Sequence, residues 1–152
     1  MKLARGIAIP VLGFLAVSAL AGAIPMLVDP YAPAGKLPLS LLRNSPFHSF
    51  LIPGILLLLA NGLLPGWILW AVIARKPHYG QWVTFQGCVL LVWLATESGM
   101  LQLIFWPHYL FGSLALVLVL AGVLLWREPE QSPSAQERER KQKIRQSRPP
   151  RR

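Results

Sequence analysis

The chain has 152 residues, of which 54% are hydrophobic and 14% are charged, and its mean hydropathy is +0.48. This combination of high apolar content and low charge excludes an ordinary water-soluble domain. The formal net charge is +9, but nine of the 15 Lys and Arg residues lie within 127–152, so the basic character belongs to a C-terminal tail. Cys88 is the only cysteine, which excludes a disulfide within one chain and a CxxC redox pair.

Apolar stretches long enough to cross about 30 Å of hydrocarbon predict the fold class. Four such stretches occur, at 6–28, 47–74, 82–104 and 108–126. They predict an all-α protein, an integral membrane bundle of four transmembrane helices that occupies residues 1–126. The second stretch contains Pro53 and Pro65 among several glycines, so we expect a kinked or tilted helix there.

The positions of Lys and Arg predict the orientation, because basic loops are retained in the cytoplasm. Basic residues precede span one, separate spans two and three, and follow span four: Lys2, Arg5, Arg75, Lys76 and Arg127. Both termini are therefore predicted to be cytoplasmic. Residues 21–23 read Ala-Gly-Ala and offer a signal-peptide cleavage site, but the apolar run continues beyond them, which favours retention of the first span.

The tail at 127–152 is predicted to be disordered, because Ile144 is its only large aliphatic residue. Its excess of Lys and Arg beside a cytoplasmic helix end makes anionic lipid the expected partner. Nucleic acid is a weaker candidate, since no aromatic residues are interleaved with the basic ones.

Small residues one helical turn apart predict close approach between helices in lipid. Four pairs have this spacing: Ser18 with Gly22, Ala19 with Ala23, Gly62 with Gly66, and Ala95 with Gly99. They predict a compact bundle. Alternatively one patch, above all that of span one, faces a membrane-protein partner or a second copy of the chain.

Glu97 is the most informative polar residue, because burying a carboxyl within a membrane span costs free energy. Such a residue is therefore interpreted first as part of a functional site. Gln86 and Trp93 share its helical face, and His48 and His108 begin spans two and four at a similar depth. One interpretation is a site for a polar ligand or a proton. The other is two interfacial histidines and a carboxyl that bonds a neighbouring helix. A metal site is disfavoured.

Asn61 lies near the middle of span two, shortly before Pro65. We expect its amide to bond a carbonyl that the proline leaves without a donor. Alternatively it lines a polar cavity where the helix is broken, as in transporters that bind substrate at unwound segments.

The chain has no GxSxG elbow, HExxH pair or glycine-rich phosphate loop. We therefore predict a protein that is not an enzyme and that carries no cofactor.

The stretches SPFHSFLIPGILLLLANGLLPGW at 45–67 and VWLATESGMLQ at 92–102 resemble small four-span bacterial integral membrane proteins, a group with no established activity. The resemblance implies a multi-pass protein of the bacterial inner membrane and no chemistry. The function expected first is an accessory or assembly subunit that packs laterally in the membrane. The alternative is a small transporter or ligand-binding protein with its polar site around Glu97. The two differ in whether Glu97 faces a cavity within one bundle or the surface.

Overall fold

The computed structural model describes residues 2–32, 38–101 and 106–127, together with 141, 142 and 144. These residues form helices and no strand. A short 3-10 helix, Leu39–Leu42, and a π turn, Leu58–Leu63, accompany five α-helices: α1 Lys2–Val28, α2 Leu51–Leu57, α3 Leu64–Ile73, α4 Tyr79–Leu101 and α5 Trp106–Trp126.

Four helical stretches are long and apolar enough to cross a membrane. They are Leu3–Val28, Leu51–Ile73, Tyr79–Met100 and Trp106–Trp126. The second is α2, the π turn and α3 in succession. The prediction of an all-α multi-pass membrane protein with four spans is therefore confirmed. The predicted disordered tail after Arg127 and the predicted span end at 102–104 lie outside the described residues, apart from 141, 142 and 144.

The first helix provides a continuous buried stripe to the bundle. Its buried residues recur every three or four positions, which places them on one face: Ala4, Ala8, Leu12, Leu15, Ala19 and Ala23. This face contacts the whole second span and α5, while the most extensive contact in the bundle joins α4 to α5. The spans therefore alternate in direction around a shared core.

Glycines set the separation between α4 and α5. A Cβ on Gly80 would lie 2.6 Å from the Trp126 nitrogen, and one on Gly87 would lie 2.8 Å from the Ala115 oxygen. A Cβ on Gly122 would overlap the backbone and hydroxyl of Thr84. Only glycine permits this approach. The sequence analysis missed all three glycines, because the contacts pair residues of different helices.

The predicted small-residue pairs differ in whether they pack between helices. Ala19 and Ala23 are buried, Gly22 packs against Leu57, and Gly62 packs against Leu20 and Ala19 of α1. Three residues of the patch on span one, Ala19, Gly22 and Ala23, are thus packed within the bundle, while Ser18 lines a cavity.

Gly66, Ala95 and Gly99 do not pack between described helices. Open space surrounds the position of a Cβ on Gly66 and on Gly99, and Ala95 is exposed. These three residues therefore make no close contact between helices in the part of the chain that the structure describes.

One end of the bundle carries Arg5, Arg75, Lys76 and Arg127, and we call it the basic end; the opposite end, which carries residues 29–50, is the loop end. At the basic end the Arg5 Nε and Nη2 atoms donate to the Val72 and Ile73 carbonyls, each at 3.2 Å. A cation at a helix C-terminus satisfies unpaired carbonyls and favours the helix dipole. Arg5 therefore ties the start of span one to the end of span two.

Candidate functional site

The site begins with a break in the second span. Within the π turn the Leu64 N–H donates to the Leu59 carbonyl, five residues back, instead of to Ala60. The next residue, Pro65, has no N–H. The Ala60 carbonyl therefore has no backbone donor, and it accepts a hydrogen bond from the Gln86 Nε2 atom of α4 at 3.1 Å. Single π turns of this kind are frequent at functional sites.

Gln86 also connects to Asn61. Its Nε2 atom lies 3.4 Å from the Asn61 Oδ1 atom, and the two side chains are 0% and 1% exposed. Among the described residues, Asn61 Nδ2 and Gln86 Oε1 have no hydrogen-bond partner. The prediction that the Asn61 amide bonds the freed carbonyl is wrong, since Gln86 takes that place.

A cavity of about 560 Å³ lies between this bridge and the loop end. Its walls are almost entirely apolar, and α1, α2, α4 and α5 all contribute to them. Five residues with polar side chains other than Trp line it: Ser18, Asn61, Thr96, Glu97 and His108. Leu41, Leu42 and Phe47 close it at the loop end. Its size is typical of a site for a small organic molecule.

Glu97 and His108 meet on the wall of this cavity. The Glu97 Oε2 atom lies 3.9 Å from His108 Nε2, and the side chains are 37% and 10% exposed. The Trp93 indole, one turn earlier on α4, also lines the cavity. Glu97 thus faces a cavity within one bundle, beside the His108 imidazole.

His48 lies apart from this pair. It is exposed and lines a shallow depression of about 470 Å³ in the 39–48 segment, together with Arg43 and Ser45. Gln86 is also distant from Glu97, because eleven residues of helix separate them by about 16 Å. Of the predicted site residues, the cavity therefore unites Glu97, Trp93, His108 and Asn61, while Gln86 supports Asn61 from behind.

Exposed residues border the cavity between spans two and three. The segment α2, toward the loop end, packs on α1, where a Cβ on Gly54 would lie 2.8 Å from the Met26 Cβ, rather than on α4. Leu56 of α2 and Thr96 of α4 both line the cavity and both are exposed. This surface belongs to helices that are long and apolar enough to cross a membrane.

Within the ranges that the structure describes, no three His, Cys, Asp or Glu side chains are grouped closely enough to hold a metal ion. Comparisons of the chain with protein-family models, curated proteins and solved structures found no match.

Several lining residues escaped the sequence analysis. Ser18 was predicted only as a packing residue, while Thr96, Met100 and Phe111 were not predicted to belong to any site. For Met100 the available signal was helical spacing, because Trp93, Glu97 and Met100 lie on one face of α4.

Proposed function

We propose that this chain is a noncatalytic membrane protein of the bacterial inner membrane that binds a lipophilic small molecule in the cavity beside Glu97. The observation that carries the proposal is that Glu97 and His108 line a cavity inside one bundle, 3.9 Å apart. A carboxyl exposed on the lipid surface would instead have favoured assembly with another chain.

The chemistry of the walls selects the ligand class. An apolar lining favours a hydrocarbon chain or ring. The exposed lining residues Leu56 and Thr96 face the lipid bilayer, in which such a molecule is concentrated. The Glu97 carboxyl accepts hydrogen bonds, so the polar group beside it is a donor, an amine or a hydroxyl. A charge-assisted bond of this kind is stronger than a neutral one.

The orientation follows from the charge at the basic end. Arg5, Arg75, Lys76 and Arg127 lie at the same end of the bundle, and such an end is retained in the cytoplasm. Both termini are then cytoplasmic, the basic tail meets anionic lipid, and the cavity opens in the outer leaflet.

A titration of the detergent-solubilised protein with dodecylamine, followed by native mass spectrometry, tests the proposal. We expect saturable binding of one molecule per chain, weakened about tenfold by Glu97→Gln because the charge-assisted bond is lost. Thr96→Val is the matched control: it changes another lining residue whose hydroxyl already bonds the Val92 carbonyl at 2.8 Å. Its affinity should equal that of the wild type.

A second variant makes the test independent of the head group. Ser18→Leu fills the cavity from α1 without touching the carboxyl, and it should abolish binding. Binding that never saturates, or that is equal in wild type, Glu97→Gln and Ser18→Leu, would refute the proposal.

One observation favours the accessory-subunit function. Ala95 and Gly99 lie exposed on α4, a small-residue face that permits close approach by a further helix. Purification from native membranes should then yield a stoichiometric protein partner that is lost in Gly99→Leu and retained in Gly66→Leu, an equally uncrowded glycine on span two. A chain that purifies alone in every case argues against this function.

A further inference from the structure

We propose that the end of the ligand inserted deepest into the cavity carries a hydrogen-bond acceptor, an ether, carbonyl or hydroxyl oxygen, which is held by the Asn61 Nδ2 atom. This inference rests on the proposed function and adds to it the chemistry of the buried end. Asn61 lines the cavity, is 1% exposed, and its Nδ2 atom has no hydrogen-bond partner among the described residues.

The orientation of the Asn61 amide is dictated by the backbone. The Ala60 carbonyl can only accept, so the Gln86 group that bonds it at 3.1 Å must be the NH₂. That same NH₂ lies 3.4 Å from the Asn61 side chain, so the atom it meets must be the carbonyl oxygen of Asn61. The Asn61 NH₂ therefore points away from Gln86. Because Pro65 has no N–H, the Ala60 carbonyl binds Gln86, and Gln86 in turn fixes the Asn61 amide. The Asn61 NH₂ is therefore a hydrogen-bond donor at the deep end of the cavity, which we call the cavity floor.

An unpaired buried donor has a cost that a ligand can remove. A buried amide without a hydrogen-bond partner destabilises the protein relative to one that is bonded. An acceptor on the ligand restores that bond in a surrounding of low polarity, whereas a hydrocarbon end does not. The cavity floor thus favours ligands whose buried end carries a polar oxygen over ligands whose buried end is hydrocarbon.

The distance between the two polar positions defines the length of the ligand. Gln86, at the level of Asn61, and Glu97 lie about 16 Å apart along α4. The cavity of about 560 Å³ between these positions has almost entirely apolar walls, so the part of the ligand that joins its two polar ends is hydrocarbon. The ligand is then an elongated amphiphile with a donor at one end and an acceptor near the other.

Two probes of equal shape test this inference: dodecylamine, and the same amine with one methylene near the far end replaced by an ether oxygen. In the wild type the ether should bind at least as tightly as the alkyl chain, although it is less hydrophobic. In Asn61→Leu the ether should bind about fivefold to tenfold more weakly than the alkyl chain, because its oxygen is buried without a donor.

Gln86→Leu supplies a variant that does not touch the ligand. Gln86 is absent from the cavity wall and acts as a positioning residue for Asn61, so this variant should also lower the preference for the ether while leaving the affinity for dodecylamine close to that of the wild type. A structural defect alone would weaken both probes alike. Ser113→Ala, at an exposed residue of α5 that does not line the cavity, should keep the wild-type ratio of the two affinities.

The outcomes separate the two proposals. If neither probe binds the wild type saturably, the proposed function fails. If both bind, Glu97→Gln weakens both, and the ratio of ether to alkyl affinity is unchanged in Asn61→Leu and Gln86→Leu, then the cavity is a ligand site and the acceptor inference is refuted.

Discussion

The same two helices pack in opposite ways at the two ends of the bundle. Toward the basic end, α4 and α5 approach until glycine is the only residue that fits, at Gly80, Gly87 and Gly122. Toward the loop end, Trp93 and Phe111 occupy the corresponding faces and line a cavity. In lipid there is little hydrophobic drive between helices, so the size of the facing side chains decides their separation. One helix pair can thus be a rigid support at one end and the wall of a site at the other.

The largest effect should come from forcing the tight end apart. Gly122→Ala places a Cβ against the Thr84 backbone, and overpacking of this kind costs about 3 kcal/mol. Unfolding in detergent, followed by circular dichroism, should show the loss of stability. Gly112→Ala is the control on the same helix, because open space surrounds its Cβ position. Equal stability of the two variants would contradict the account of close packing.

Cavity-creating substitutions should sharpen the contrast between the ends. Leu118 is fully buried on the basic-end side of α5, and Leu118→Ala should reduce the free energy of unfolding by about 2–3 kcal/mol. Leu57 already lines open space, so Leu57→Ala removes fewer contacts and should cost less than about 2 kcal/mol. The same unfolding measurement applies. A larger loss from Leu57→Ala would show that the loop end is as densely packed as the basic end.

The hydrogen bonds of Arg5 to the end of span two should contribute less to the free energy of unfolding. Arg5→Lys keeps the charge but cannot hold both the Val72 and Ile73 carbonyls in the same fork, so we expect a loss of about 1 kcal/mol. Arg127→Lys, at an exposed residue of the same end, is the matched control and should leave stability unchanged. If Arg5 acts only through its charge, Arg5→Lys and Arg127→Lys will have the same free energy of unfolding.

The smallest effect should be a gain in stability. Arg75 follows α3 with φ of 50°, and the Lys76 and Arg75 N–H groups close the helix end on the Ala71 and Val72 carbonyls. Glycine adopts this left-handed conformation without strain, so Arg75→Gly should raise the free energy of unfolding by about 0.5–1 kcal/mol. Arg75→Ala, which keeps the Cβ, should give no gain. If both variants lose stability, the Arg75 side chain and not its backbone matters.

Local properties of the sequence predict local features of the structure. Hydropathy locates the four spans because each depends only on its own residues, and counting along α4 and α5 places Glu97 and His108 at one depth, where they lie 3.9 Å apart. The same counting placed His48 at that depth too. His48 nevertheless belongs to a separate depression, because the path of the segment before α2 sets its direction.

Features that join distant parts of the chain escaped prediction. The contact of Gly122 with Thr84 needs the relative rotation of two helices, and no spacing within either helix reports it. The Gln86 bond to Ala60 depends on a π turn, whose extra residue is invisible in a run of apolar side chains. Pro65 signalled that a carbonyl would lack its donor, but only the packed structure shows which amide replaces it.

The π turn also has a consequence for how this chain can change over generations. A π turn holds one residue more than an α-helix whose flanking segments face the same way, so deleting one residue from Leu58–Leu63 would restore regular bonding and leave α2 and α3 with their present faces. We expect a related sequence that has lost the binding site to show a one-residue gap at this place when it is aligned with this chain. The core residues Ile68 and Val72 should still align.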